Sequence, residues 1–362
     1  MRPDMLSCSS WQALSTCAPL LQLVVPLTPL VLLVLLALWY VRRWRKMEVD
    51  RTPRRVIITG AATGIGRALA EELAVTYGDS IIALDRDKRR LDELETWALR
   101  NGHSVLCVQC DVADAASVAR AATELQAQQS AHGKGCIHAI INLAGIYALG
   151  PLMEESSVDK LDLVMRVNVL GTLRVVQAFH HYLPTSSSSP AENGRILFMG
   201  SELSTRRIAT GLTAPYTMSK WALEAYVASL RQELQCMLNK PKPVHACMVS
   251  LGAVTTGLSV DAPINQALEL IDAGSKWSAA LHRLVASTQS FHESFAVPTS
   301  TVAPEIAEIV HAVRPPSYSV INSSWPLRLA SWLPHSILDN QAKKKQLGTF
   351  LATGRPQTQH LE

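Results

Sequence analysis

The sequence predicts an α/β fold: one doubly wound domain around a seven-stranded parallel sheet, preceded by one N-terminal transmembrane helix. Three observations predict it. Short apolar runs alternate with amphipathic stretches from residue 56 to 322, a glycine-rich turn joins the first run to the first helix, and residues 18–41 carry no charge. Strands alternating with helices imply crossover connections, which cover both faces of a parallel sheet.

The elements follow in order. Residues 1–17 are a tail. Residues 18–41 are rich in Leu and Val and long enough, at 1.5 Å per residue, for a bilayer core about 30 Å thick. Pro26 and Pro29 fall in the first half, where membrane helices tolerate them. Trp39, Tyr40 and Trp44 form an aromatic belt, and Arg42, Arg43, Arg45 and Lys46 follow, which puts that end and the domain after it in the cytosol. A cleaved signal peptide is the other reading. It fits worse, because the run is too long for an h-region and no small-residue cleavage site follows Leu38. The endoplasmic reticulum is the expected membrane, with a mitochondrial membrane as the alternative.

Residues 42–55 form a basic linker, with seven Lys/Arg against Glu48 and Asp50, a local +5. The whole chain sums to +4 and residues 1–41 to zero, so residues 56–362 sum to −1. The basic excess is one short patch, which argues against a nucleic-acid-binding face. The seven cysteines are scattered and suggest no disulfide framework. Cys107 and Cys110 have redox or zinc spacing, but on a strand residues three apart point to opposite faces. They read as buried structural thiols, and no metal is expected.

Buried strands are predicted at 56–59, 81–84, 105–108, 137–142, 196–199, 244–249 and 318–321. Helices are predicted notably at 65–77, 88–100, 158–181 and 215–238, and Ser186–Ser189 read as a surface loop. Thr59-Gly60-Ala61-Ala62-Thr63-Gly64-Ile65-Gly66 follows the first strand and opens a helix. Glycines there permit a tight turn and let backbone approach a pyrophosphate at the helix N-terminus, a Rossmann-type arrangement. Asp85 closes the second strand, where a carboxylate accepts hydrogen bonds from a ribose diol and repels a 2′-phosphate. That favours NAD over NADP, and Arg86 beside it argues the other way. Tyr216 and Lys220 lie one helical turn apart, so the lysine cation can lower the phenol pKa and make it a usable acid or base.

In combination these residues resemble the short-chain dehydrogenase/reductase family over roughly residues 54–322. Four motifs stand in family order: Thr59–Gly66, Asn142-Leu143-Ala144-Gly145, Asn168 and Tyr216–Lys220. The resemblance implies hydride transfer between a nicotinamide and a carbinol or carbonyl carbon. Tyr216 would exchange the proton, Lys220 would lower its pKa and hold the nicotinamide ribose, and Asn168 would hold a relay water. A serine just past the fifth strand would bind the substrate oxygen. Strand register points to Ser201, fifteen residues before Tyr216, while Ser204 is the rival at twelve.

The cofactor-binding set implied is Thr59, Gly60, Thr63, Gly64, Ile65, Gly66, Asp85, Arg86, Asp111, Val112, Asn142, Ala144, Gly145, Tyr216, Lys220, Gly252, Val254 and Thr256. Leu143 and Leu251 depart from the residues usual in the family. Residues 257–300 correspond to the substrate lid and suit a hydrophobic molecule. In the tail 323–362, Trp325, Leu327, Leu329, Trp332 and Leu333 precede Lys343, Lys344 and Lys345. They read equally as a membrane-interfacial segment or as a helix packed on the core. Anchor, aspartate and tail together resemble the membrane-bound retinol, hydroxysteroid and 3-hydroxybutyrate dehydrogenases. The expected activity is thus NAD(H)-dependent oxidoreduction of a hydrophobic alcohol or carbonyl compound, such as a steroid or retinoid. The alternatives are an NADPH-dependent lipid-ketone reductase and a non-catalytic nucleotide-binding scaffold. The family also implies a homodimer or homotetramer. Asn322-Ser323-Ser324 is a glycosylation sequon, and a glycan there would reverse the topology.

Overall fold

Every predicted apolar run forms a strand of one sheet in the computed structural model. The strands are β1 (Arg55–Thr59), β2 (Ser80–Asp85), β3 (Val105–Gln109), β4 (Ala139–Asn142), β5 (Gly194–Ser201), β6 (Val244–Leu251) and β9 (Tyr318–Ile321). The structure describes residues 47–132, 136–154, 156–184, 190–205, 208–209, 211–236 and 244–324. Strand order is β3-β2-β1-β4-β5-β6-β9, and all of its ladders are parallel. Each run is continuously apolar because both faces are covered: Val56, Ile57 and Ile58 on β1 and Ala139, Ile140 and Ile141 on β4 are fully buried. The order reverses between β1 and β4. Ligands of such sheets bind in the crevice at the carboxyl ends of the strands flanking that reversal.

The connections are helical: α1 (Gly64–Glu72), α2 (Lys88–Asn101), α3 (Ala115–His132), α4 (Ser156–Val164), α5 (Thr172–Phe179), α6 (Glu202–Thr205), α7 (Ala214–Cys236), α8 (Ala262–Asp272), α9 (Ser278–Phe295) and α10 (Thr299–His311). The helix expected at 158–181 is interrupted by a π-helical turn at Met165–Gly171, and the first helix ends in another at Leu73–Tyr77. Periodicity cannot reveal such turns, since one inserted residue barely disturbs the apolar pattern; they are frequent at functional sites. The lid contains α8 and α9. Its two ends are tied by a two-stranded parallel ladder not foreseen from sequence, β7 (Val254–Thr255) with β8 (Val297–Pro298).

No helix among the described residues is long and apolar enough to cross a membrane. The predicted anchor at 18–41 and the tail from 325 lie outside those residues. Cys107 and Cys110 are free thiols, pushed up to about 12 and about 11 by burial.

A polar cluster lies under the opposite edge of the sheet. Asp79 Oδ1 accepts from Arg54 N at 2.7 Å, and Asp79 Oδ2 meets His311 Nε2 at 2.9 Å with both side chains fully buried. His311 Nδ1 lies 2.8 Å from the Asp50 carbonyl, and its ring stacks on Tyr77 with centroids 3.9 Å apart. Arg54 also donates to Val310 O at 2.6 Å. The cluster fastens the second half of the basic linker, at Asp50 and Arg54, to the end of α10. Asp79→Ala leaves these donors buried without their acceptor, so urea denaturation is expected to show a loss of roughly 3–5 kcal/mol. A loss under 1 kcal/mol would mean that water replaces the carboxylate there.

Candidate active site

The glycine turn lies at the sheet reversal. Gly60 has φ +68°, and a Cβ on it would sit 2.9 Å from Ala144 Cα. A Cβ on Gly66 would be driven into the Gly60 carbonyl oxygen. Thr59 is buried, and its Oγ1 accepts from Leu143 N and Ala144 N, both at 3.1 Å. It therefore joins β1 to β4 from inside rather than facing a ligand. Thr63 caps α1 without a side-chain hydrogen bond.

Asp85 holds the turn from the other side: Oδ2 accepts from Ala62 N and Oδ1 from Asp87 N, each at 3.0 Å. Its carboxylate is thus both a brace for the loop and, at the end of β2, a group in position for a ribose diol. Arg86 is exposed beside it. Asp111 Oδ1 accepts from Ala113 N at 2.9 Å. Val112 is buried against Gly171, where a Cβ would meet it at 2.8 Å, so Val112 packs the π turn. A Cβ on Gly64 would lie 3.6 Å from the Thr256 methyl, which brings the segment after β6 to the mouth of the glycine turn. Val254 is buried in β7, and Thr256 caps the next turn through a capping box with Ser259.

Ser201, Tyr216 and Lys220 converge at the carboxyl edge. Ser201 ends β5 at 8 % exposure; its Oγ accepts from Leu203 N at 3.3 Å and lies close enough to the Tyr216 phenol to pull its pKa down. Ser204 points elsewhere: its hydroxyl lies 2.8 Å from the Ser201 carbonyl and 2.9 Å from Glu224 Oε1, and its one proton goes to either acceptor. Strand register, not spacing to the tyrosine, picks the serine that meets it. Lys220 is 7 % exposed, and Nζ donates to the Met199 carbonyl at 2.9 Å, 5.6 Å from the Tyr216 ring centre.

The expectation that Lys220 lowers the Tyr216 pKa is corrected in this state. Burial pushes Tyr216 up to about 12, opposed only by the Ser201 hydrogen bond, and holds Lys220 down to about 8. Desolvation disfavours the charged form of each, and the ammonium is turned toward a carbonyl rather than the phenol oxygen. A lysine with a depressed pKa is cationic below that value and neutral above it. Reductive kcat/KM, which reports the free enzyme, is therefore expected to be flat below about pH 7 and to fall through about pH 8. Lys220→Arg keeps its charge and should lack that limb; a limb unchanged in the arginine variant would assign it to another group.

Asn168 lies on the π turn, and its side chain is occupied. Oδ1 accepts from Ile146 N at 2.8 Å, while Nδ2 donates to Ile146 O and to Ser219 Oγ, both at 3.0 Å. Ser219 Oγ in turn donates to the Tyr216 carbonyl at 2.7 Å. The amide thus clamps the loop after β4 to α7 and does not offer its side chain to a relay water. A Cβ on Gly145 would lie 3.4 Å from that amide oxygen. Asn142 is buried, and its Nδ2 donates to Leu197 O at 3.1 Å while Oδ1 lacks a protein partner. Gly252 is explained by packing, because a Cβ would be driven into the Asn322 carbonyl oxygen.

Sequence reasoning missed several residues. The Tyr147 ring lies 5.1 Å from the Tyr216 ring, and Gln266 of the lid grips the same loop through Leu149 N at 2.7 Å and Tyr147 O at 3.0 Å. Around them Leu149, Ala267 and Leu281 form an apolar cluster with Leu212, Leu270, Ile271 and Trp277 packed on it. Nothing local marks these residues, since they meet only when the lid folds over the β4 loop.

A glycine turn at the switch point of a parallel sheet, with a buried tyrosine and lysine at the same carboxyl edge, is the arrangement of a dinucleotide-dependent oxidoreductase class. The sequence pattern of the short chain dehydrogenase family matches residues 54–266, and the chain belongs to that family of enzymes. Among curated relatives, an NADPH-dependent pterin aldehyde reductase of Arabidopsis thaliana is 33% identical over 50% of this chain and 69% of its own. A 3beta-hydroxysteroid dehydrogenase of Caenorhabditis elegans is 31% identical over 52% of this chain but only 46% of its own. A 3-dehydrosphinganine reductase of Danio rerio is 30% identical over 50% and 52%. The chain thus spans about half the length of these last two relatives. The fold is shared with a short chain dehydrogenase/reductase from Burkholderia phymatum in complex with NAD, at a TM-score of 0.60 and 24% identity over 81% of this chain and 97% of that one.

Proposed function

We propose that this protein is a nicotinamide-dependent oxidoreductase of a lipophilic alcohol or carbonyl compound, with Tyr216 as the general acid/base. The observation that carries the reading is the meeting of Ser201, Tyr216 and Lys220 beside the glycine turn, with apolar lid residues around Tyr147 on the open side. The residues fit a dinucleotide: Gly64 faces Thr256 across the turn, and Asn142 Oδ1 is a buried acceptor awaiting a donor. The glycine turn and the N-terminus of α1 would hold the pyrophosphate, Asp85 the adenine-side ribose, Asp111 the adenine amino group, and Lys220 the nicotinamide ribose. The coenzyme supplies or accepts the hydride when bound.

In reduction Tyr216 gives its proton to the substrate oxygen while Ser201 hydrogen-bonds that oxygen and offsets its developing charge. In oxidation the same atoms run in reverse. Asp85 favours NAD, and Arg86 supports the second reading, an NADPH-dependent reductase of a lipid ketone. The names of the nematode and zebrafish relatives support a steroid or sphingoid substrate. The uncharged run 18–41 supports a membrane anchor, with the catalytic domain on the cytosolic face of the endoplasmic reticulum. Asn322 Nδ2 donates to Ala253 O at 2.5 Å and Phe295 O at 3.1 Å, bonds that a glycan would break. Exposed Leu163 on α4, Leu170 on the π turn after it, and Met218 and Trp221 on α7 support self-association.

The test uses full-length protein in detergent micelles, with initial rates for NAD(H) and NADP(H) against retinoids, steroids, sphingoid ketones and short hydroxy acids. Turnover of an apolar compound with one coenzyme preferred at least about tenfold is expected. Turnover confined to short hydroxy acids would remove the lipophilic assignment, and coenzyme binding without any turnover would favour a scaffold.

A further inference from the structure

The proposed chemistry leaves one buried carboxylate at the site unused. Glu202 directly follows Ser201 and is 1 % exposed. Burying such a group costs free energy unless hydrogen bonds satisfy it, so what it holds indicates its role. Its Oε1 accepts from Ser323 Oγ, and its Oε2 accepts from Ser324 N at 3.1 Å and Ser324 Oγ at 3.5 Å. Ser323 and Ser324 stand just past β9, the edge strand of the sheet.

The residues around that contact join the segment after β6 to the end of the lid. Gly252 N donates to Ile321 O at 2.9 Å, and a Cβ on Gly252 would lie 3.3 Å from Glu202 Oε2. Asn322 has φ +52°, a left-handed conformation, and its side chain is bonded to the carbonyls of Ala253 and Phe295. Ala253 lies in the strip that runs from Gly252 to Thr256, and Phe295 ends the lid helix α9. One tripeptide, Asn322–Ser324, therefore touches the residue after the catalytic serine, the coenzyme-facing strip and the exit of the lid.

We propose that Glu202 and Asn322–Ser324 form a latch that positions Ser201 and the 252–256 strip for hydride transfer. Glu202 is a positioning residue and touches no reacting atom. Its carboxylate fixes the direction in which the chain leaves β5, and Ser201, the residue before it, acts on the Tyr216 phenol from that same turn. The catalytic consequence rests on the oxidoreductase reading above; the mechanical one does not.

The test compares full-length Glu202→Gln, Ser323→Ala and the double variant. Glutamine keeps the size and one acceptor, and Ser323→Ala is milder still, so at least one variant folds. Each is expected to lower kcat about tenfold or more with coenzyme KM within about twofold, since small misplacements of catalytic groups are costly. The double variant should be no slower than the worse single one, because both remove one contact. Losses that multiply would overturn the latch. Hydrogen exchange by mass spectrometry should show faster exchange of peptides covering 252–256 in Glu202→Gln, with β3 peptides unchanged. Unchanged exchange at 252–256 overturns the proposal whatever the rates. If the parent protein turns over no compound tested, the oxidoreductase reading fails, and the exchange comparison still decides the latch.

Discussion

Tyr216→Phe is expected to lower kcat by roughly 10²–10⁴-fold, the usual weight of a positioned general acid or base. Phenylalanine keeps the ring beside Tyr147 and the helix that carries Lys220, so the packing at 5.1 Å between the two rings survives. What disappears is the hydroxyl whose pKa the neighbouring Ser201 lowers. Coenzyme affinity, read by NADH fluorescence, should stay within about twofold, because a phenol that acts on the transition state contributes little to ground-state binding. Ser201→Ala should cost less, as it removes one hydrogen bond to the oxygen and leaves the proton donor in place. A Tyr216→Phe variant with full activity would end the assignment. Loss of coenzyme binding and turnover together would make the tyrosine structural.

Gly66→Ala is the second large effect. The new methyl would meet the Gly60 carbonyl oxygen, which is backbone and cannot swing aside as a side chain can. The turn must open, and with it goes the approach of backbone to a pyrophosphate. NADH affinity is expected to fall at least about 100-fold, and melting should shift down by an amount matching about 1–3 kcal/mol of overpacking. Gly102→Ala supplies the contrast: its φ is +72°, yet nothing lies within 4 Å of the added methyl. That variant should lose only about 1 kcal/mol of stability from backbone strain and keep its NADH affinity. Equal losses of affinity in both variants would show that left-handed strain, not the close contact, governs the turn.

The sheet was legible because a strand buried on both faces is mostly apolar, and β1, β4 and β5 each carry an unbroken apolar run at their centre. The glycine turn was legible because two of its demands, a left-handed Gly60 and a methyl-free Gly66, exclude other residue types. Tyr216 and Lys220 were legible as helical neighbours. The direction of their pKa shifts was not, because burial depends on what packs over the pair. The sequence showed both candidate serines, and only strand register separated them, carrying Ser201 to the phenol while Ser204 turned to Glu224.

Local pattern alone determined the class of fold, the order of its strands along the chain, the glycine turn and the helix that carries Tyr216 and Lys220. Each of these rests on residues within a few positions of one another, so periodicity and stereochemistry suffice. Tertiary structure decided that Thr59 and Asn168 clamp the site from within, that Tyr147 and Gln266 bring the lid to it, and that Glu202 reaches across to Ser323. Those partners lie from 22 to 121 residues apart along the chain. No local preference encodes such a contact: it exists only once the sheet has brought its carboxyl ends to one edge.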